Sequence, residues 1–325
     1  MKTVAVIVHR GPTEPTLDLA TRLDVSTHLD QVTVIANDRA ERPSGLPASV
    51  GWLVPPRDLG RGGAFRYAVE TIPAAAAYLL VENNVRIDDP TIGACLELLA
   101  GANIGIVAPT LVDDATAPTT PARPTRFLVL PRILGNAPGD RPSEANWVTG
   151  AAMFVKAECH QRIPMDGRYF LGLEDVDFCH RVRDAGWSVV ISPWPARRHG
   201  AGPVPAAAYG YYEVRNRLWY TRIRRWHGRT AAALLWTVLA TLPRATVLRP
   251  PGADGSHPGR LVLHGLLDGL GPVPPSGDPR LDEPRVTRWT TWAPAPPRTA
   301  DAPAAQPSTS PARRRHEPPL GQSER

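Results

Sequence analysis

Cysteine and lysine are scarce in the 325 residues, and no apolar run reaches membrane-spanning length. Cys95, Cys159 and Cys179 are odd in number and lack Cys-x-x-Cys or Cys/His ligand spacing. That argues for a reducing cytoplasm and against a disulfide framework or a structural zinc. The most apolar stretch, Thr230 to Leu242, falls short of the roughly 20 residues a bilayer demands, so a soluble or peripheral protein is expected. Lys2 precedes an apolar run as in a leader peptide, but that run stops at His9-Arg10-Gly11 and is better read as a first core strand. With only Lys2 and Lys156, the net charge of +6 is carried by arginine. Those arginines are dispersed and accompany no recognition module, which argues against nucleic acid; phosphate-bearing substrates or anionic lipid account for the charge equally well.

What is present is a hydrophobic content of 42%, enough for a packed core. Apolar, β-branched runs at Val4–Val8, Val32–Ile35, Gly51–Val54 and Tyr78–Val81 alternate with helical patterns at Thr16–Leu29 and Gly62–Ile72. Thr91–Leu99 and Ile104–Ala108 continue the alternation, which predicts βαβ units, an α/β fold and a mostly parallel sheet. Asp113–Ala145, rich in Pro, Thr, Arg and Asp, is expected to form a long loop. Tyr209–Arg229 interleaves aromatics with arginines, and is either an interfacial membrane anchor or an amphipathic helix covering the domain. A short helix is expected around Arg260–Leu270. From Pro272 the chain is dominated by Pro, Ala, Arg and Ser, and is expected to be disordered. The expected division is a main domain at 1–230, a helical and possible membrane-peripheral extension at 231–271, and a tail at 272–325.

The densest chemistry lies at Glu174-Asp175-Val176-Asp177. Three carboxylates in four residues call for a compensating cation, a metal or a proton-transfer task, unless they simply favour a helix N-terminus. Around them stand, in order, Trp147-Val148-Thr149-Gly150-Ala151, the acidic motif, Arg181 to Gly186-Trp187, Pro193 and His199. Upstream lie Ala36-Asn37-Asp38, Asp58-Leu59-Gly60-Arg61-Gly62-Gly63 and Glu82-Asn83-Asn84.

This ordered set resembles the inverting family 2 glycosyltransferases of the GT-A fold, which include bacterial rhamnosyl- and galactofuranosyltransferases, over residues 1–230. The resemblance implies transfer of a sugar from a nucleoside diphosphate sugar to a hydroxyl acceptor: a glycan, a lipid-linked glycan or a natural product. It makes Asp175 the general base, with Glu174 beside it raising its pKa. Asn37 and Asp38 stand where the family binds a nucleobase, although the usual Asp is Ala36 here. Asp58, Gly60, Arg61, Gly62 and Gly63 parallel a donor-binding turn, with Arg61 a diphosphate contact, and Gly150 lets the donor sugar approach the backbone. Asp177 is expected to pair with Arg181, and Trp147 to pack or to stack on sugar.

Metal is the point of departure. Asn84 occupies the position of the Asp that ligates Mn²⁺ or Mg²⁺ in the family. An amide oxygen is a weaker ligand for a hard cation than a carboxylate. Glu82 and His199 are the candidates to complete a weakened site, with Asp88 and Asp89 nearby in sequence. A rival reading follows: a sugar-nucleotide-binding or scaffold relative that keeps the fold and has lost turnover.

Overall fold

The computed structural model describes residues 2–72, 75–113, 120–122, 132–134, 140–199, 206–247 and 257–275. Strand β1 (Thr3–His9), helix α1 (Thr13–Asp24), β2 (Gln31–Ala36), β3 (Gly51–Leu53), α2 (Gly60–Thr71) and β4 (Ala77–Glu82) form the first half of the main unit. There follow β5 (Val85–Arg86), α3 (Asp89–Leu99), β6 (Ile104–Asp113), and the short β7 (Thr120–Ala122), β8 (Arg132–Leu134) and β9 (Ser143–Glu144). β10 (Ala152–Lys156), α4 (Ala157–Arg162), α5 (Glu174–Asp184) and β11 (Ser188–Arg198) complete the sheet and its covering helices. α6 (Ala206–Ile223), α7 (His227–Trp236), a π-helical turn (Thr237–Thr241), α8 (Leu242–Val247) and α9 (Pro258–Leu270) make up the C-terminal helices.

The main sheet runs β3-β2-β1-β4-β10-β6-β11-β5, with β9 beside β11. β1 pairs in parallel with β2 and β4, and β2 with β3; β10 is antiparallel to both of its neighbours. Alternation along β1 explains why its run is apolar throughout. Val4 and Val6 join a core with Phe65 and Ala68 of α2 and Phe178 and Val182 of α5, while Ala5 and Ile7 join another with Leu19 and Leu23 of α1 and Cys95 and Leu99 of α3. A sheet covered on both faces has no solvent side to make polar. Each fully buried Leu, Ile or Phe adds about 1.5–3 kcal/mol.

Parallel pairing sends the ends of β1, β2 and β4 to one edge, and the reversed β10 brings its N-terminal end there too, Ala152 lying opposite Val81. β11, parallel to β6, ends at the same edge beside β5, where Arg198 pairs with Val85. Everything expected of a site therefore converges on one rim.

Several expectations are corrected. α1 ends at Asp24, not Leu29, because Ser26 and Thr27 turn away to bond the carboxylate of Asp89. The aromatic-basic segment is mostly interior along α6, with Tyr211, Tyr212, Arg215, Arg217, Trp219 and Tyr220 all buried, so this part covers the domain. The apolar run judged too short for a bilayer belongs to a longer helix. The π-helical turn carries α7 into α8, and His227–Val247 is 21 residues long and holds an 18-residue stretch of mean hydropathy 1.3, long and apolar enough to cross by length and composition. Most of the expected 113–145 loop lies outside the described residues, as does the expected tail from Ser276 onward.

Candidate active site

The strand-to-helix turn after β3 is built around a glycine that no other residue can replace. Gly60 has φ +65°, and a Cβ there would lie 2.1 Å from the carbonyl oxygen of Phe170. Its close approach lets the Arg61 backbone N–H donate to that carbonyl at 2.9 Å, tying α2 to the loop before α5. Gly62 and Gly63 allow the same crowding, since added Cβ atoms would sit 3.0 Å from Glu174 Cβ and from Leu59 Cβ respectively.

Beneath the turn, Asn37 is fully engaged. Its amide N–H group donates to Asp58 Oδ1 at 2.7 Å and to the Gly60 carbonyl at 3.1 Å, and its oxygen accepts from Leu59 N at 2.9 Å. Asp58 is buried, ion-pairs with Arg10 and accepts from Gly60 N at 3.0 Å. Burial raises its pKa, opposed by Arg10. Asn37 and Asp58 are thus both engaged in shaping this turn. Asp38, more exposed, accepts from Gly11 N at 2.8 Å and remains at the rim.

Arg61 is the centre of the arrangement. Its guanidinium binds Glu82 at 2.5 Å, contacts Glu174, and reaches Asp175 Oδ2 at 3.3 Å. This is the cation that the acidic motif calls for. Burial works against its charge, but the three carboxylates hold its pKa well above the ordinary value. Asp175 Oδ2 also accepts from Gly150 N at 3.0 Å, and Oδ1 from Val176 N at 2.8 Å. Glu174 is buried with Oε2 unpartnered among the described residues, and desolvation lifts its pKa to about 7 against the pull of Arg61. Asp177 pairs with Arg181 at 2.6 Å, as expected for an i,i+4 neighbour. Trp147 is interior and packs in the core.

The loop leading into α5 is strained and clamped. Phe170, Gly172 and Leu173 have φ of 60°, 81° and 69°. Such backbone persists only when its surroundings over-determine it. Asn216 of α6 supplies that restraint, donating to the carbonyls of Tyr169, Leu171 and Gly172 at 2.8, 2.8 and 2.7 Å, while Phe170 stacks on Tyr212 at 5.2 Å. The sequence reading missed Asn216; its only signal is an amide set inside an aromatic helix.

For metal, no group of three or more His, Cys, Asp or Glu side chains is assembled among the described residues. Glu82 is engaged by Arg61, Asp88 caps α3 through Thr91 N, and Asp89 holds Ser26 and Thr27. Asn84 and His199 are the other two expected ligands. Their backbones are joined, His199 N donating to Asn84 O at 2.9 Å, and Asn84 Oδ1 is buried without a hydrogen-bond partner among the described residues. An unpartnered amide oxygen on a residue whose backbone pairs with that of a histidine suits, by the chemistry of its donors, a divalent cation whose remaining ligands are phosphate oxygens and water.

No family model matches the chain, and no curated protein does either. Solved structures do. The chain is similar to GalNAc-T7 with UDP, GalNAc and Mn²⁺, at TM-score 0.53 and 9% identity over 78% of this chain and 59% of that one. It therefore spans less than two thirds of that protein's length. It is also similar to the mannosyltransferase PcManGT of Pyrobaculum calidifontis in complex with GDP-Man and Mn²⁺, at TM-score 0.49 and 12% identity over 83% and 87%. A third likeness is to TarS residues 1–349 of S. aureus, at TM-score 0.48 and 11% identity over 77% and 76%. The chain has the GT-A glycosyltransferase fold: a mixed α/β architecture with a mostly parallel central sheet and C-terminal helices.

Proposed function

We propose that the protein transfers a sugar from a nucleoside diphosphate sugar to a hydroxyl acceptor with inversion, using Asp175 as general base. One observation carries the reading: Arg61, Glu82, Gly150, Glu174 and Asp175 come from four separate segments and meet in one buried network at the rim of the sheet. Such convergence of charge, at the carboxyl ends of parallel strands, suits a phosphate-bearing ligand and proton transfer.

In this reading the donor turn at Asp58–Gly63 receives the nucleoside diphosphate, with Asp38 and the end of β2 beside the nucleobase. Gly150 leaves room for the sugar, since a Cβ there would already touch Arg61 and Asp175 at 3.4 and 3.5 Å. The Gly150 and Val176 N–H groups fix the Asp175 carboxylate. Asp175 takes the proton of the acceptor hydroxyl, the acceptor oxygen forms its bond to the anomeric carbon, and the bond to the diphosphate breaks with the electron pair leaving on phosphate. A single displacement inverts the anomeric centre. Asn84 and His199 would hold a Mn²⁺ or Mg²⁺ ion, which when bound neutralises charge on the leaving diphosphate. The Mn²⁺ bound in GalNAc-T7, a protein of this fold, supports the use of a divalent metal. The acceptor is a glycan, a lipid-linked glycan or a natural product, met in the cytoplasm or at the inner face of its membrane. Residues 1–230 form the catalytic unit, with 231–271 as a helical extension and 272–325 as a tail.

A second reading has its own observation. Asn84 replaces a carboxylate and Glu82 is held by Arg61, which favours a donor-binding relative with little turnover. A screen of common sugar nucleotides, with and without Mn²⁺, separates the two. Release of nucleoside diphosphate from one donor with Mn²⁺ is expected; binding of a donor without release under any condition would establish the second reading.

A further inference from the structure

Among the described residues, twelve large apolar side chains are exposed, and eight of them fall between Leu235 and Leu270. They are not scattered. Leu235, Trp236, Val238 and Leu239 lie together on α7 and the π-helical turn, exposed by 60, 42, 42 and 67%. On α9, Leu263 and Leu267 are exposed at i and i+4, whereas Val262 and Leu266 face the small core shared with α6 and α8, and Leu261 is buried. Both helices thus bury one stripe and present a second, equally apolar stripe outward. Monomeric surfaces rarely carry such concentrations without an occupant.

The charge around these stripes selects the occupant. Between His227 and Val247 the charged side chains are Arg229 and Arg244, and there is no Asp or Glu. Exposed Arg225 precedes the helix and exposed Arg260 opens α9, on the same helical stripe as Leu263 and Leu267. The sole acid of α9, Asp268, accepts from the Tyr211 hydroxyl at 2.7 Å. A face of Leu, Val and Trp rimmed by arginine matches the boundary between acyl chains and anionic headgroups. Another protein surface would have to meet an apolar centre with an acidic border.

We infer that α7, the π-helical turn, α8 and α9 form a monotopic docking surface for an anionic phospholipid bilayer, with the helices lying in the interface. The 21-residue helix does not cross the bilayer. Ala233, Thr237 and Ala245 bury its inner side, and Ala233 and Ala245 join the core with Val214 and Leu218 of α6 and Val262 and Leu266 of α9, which spanning would tear open. This inference stands apart from the sugar-transfer reading and needs no activity to be tested.

The experiment is vesicle flotation of the full chain with phosphatidylcholine vesicles, with and without phosphatidylglycerol, at low and high salt. Partitioning is expected to be about tenfold or more stronger on the anionic vesicles, and to fall with salt. The Leu235→Gln/Leu239→Gln double variant should lose that partitioning while its Tm stays at the wild-type value, because both side chains are already outside the core. It leaves every arginine in place, so general basic attraction would survive in it, and unchanged partitioning would overturn the inference. No binding to anionic vesicles, or binding that resists alkaline carbonate extraction as a spanning helix does, would overturn it too. So would a wild-type dimer in solution that the double variant converts to monomer without any vesicle binding.

Discussion

The guanidinium of Arg61, at the start of one helix, reaches the carboxylate of Asp175 at 3.3 Å across 114 residues of sequence. The same group holds Glu82 and Glu174, so one cation bridges three acids in a region largely closed to water. Removing it leaves buried carboxylates uncompensated. Arg61→Ala is expected to destabilise the fold by about 3–5 kcal/mol in urea unfolding. A loss below about 1 kcal/mol, the range of exposed pairs, would mean that solvent already screens the cluster.

Asn216 is expected to act by positioning. Asn216→Ala removes donors from three carbonyls of the strained Tyr169–Gly172 stretch. Stability should fall by roughly 2–3 kcal/mol, since the Leu171 and Gly172 carbonyls lose this donor and keep their desolvation cost, while Tyr169 O still accepts from Arg215. kcat should fall more than the donor KM rises, because the loop leads directly into Glu174 and Asp175. A stability loss with unchanged kcat would confine Asn216 to folding alone.

His160 sets an acid limit. It is buried, its Nε2 accepts from Met165 N at 3.3 Å, and desolvation, aided by Arg66 and Arg181, lowers its pKa to about 4. Between pH 6.5 and 4 the unfolded chain takes up this proton and the native one does not, so stability falls as pH drops through that window. The loss from this one group is on the order of 3 kcal/mol by pH 4. Glu174 acts oppositely: burial raises its pKa to about 7, so its protonated form favours the native state at low pH and that contribution fades as pH rises towards 7. Urea unfolding of wild type and His160→Gln across pH 4–7 checks the first effect; parallel curves for the two would contradict it.

Much of this was legible in the sequence. The runs at Val4–Val8 and Tyr78–Val81 announce strands because a sheet covered on both faces needs apolar residues throughout. The i,i+4 spacing of Asp177 and Arg181 announces their pair. What spacing could not reveal are partners joined only by topology. Arg61 meets Glu174 because β4 and β10 bring distant segments to one rim, and the Asn37 amide is absorbed by a turn formed 21 residues later. Helix continuity through the π-helical turn was missed because Thr, Pro and Arg dilute the apolar pattern without breaking the backbone.

Asn84→Asp tests the cation site. If Asn84 and His199 hold a divalent ion, the carboxylate adds charge and a harder oxygen, and Mn²⁺ should bind several-fold more tightly by calorimetry in the presence of nucleoside diphosphate. His199→Ala should weaken it. If arginines alone neutralise the diphosphate, Asn84→Asp should weaken donor binding, and chelator should leave activity unchanged.

The central claim rests on Asp175, and the most direct measurement is single-turnover transfer by Asp175→Asn beside its donor affinity. Asparagine keeps the shape and an oxygen to accept from Gly150 N but cannot take a proton. The rate is expected to fall by about 10²–10⁴ while donor affinity stays within a few-fold. Near-wild-type transfer by this variant would contradict the account.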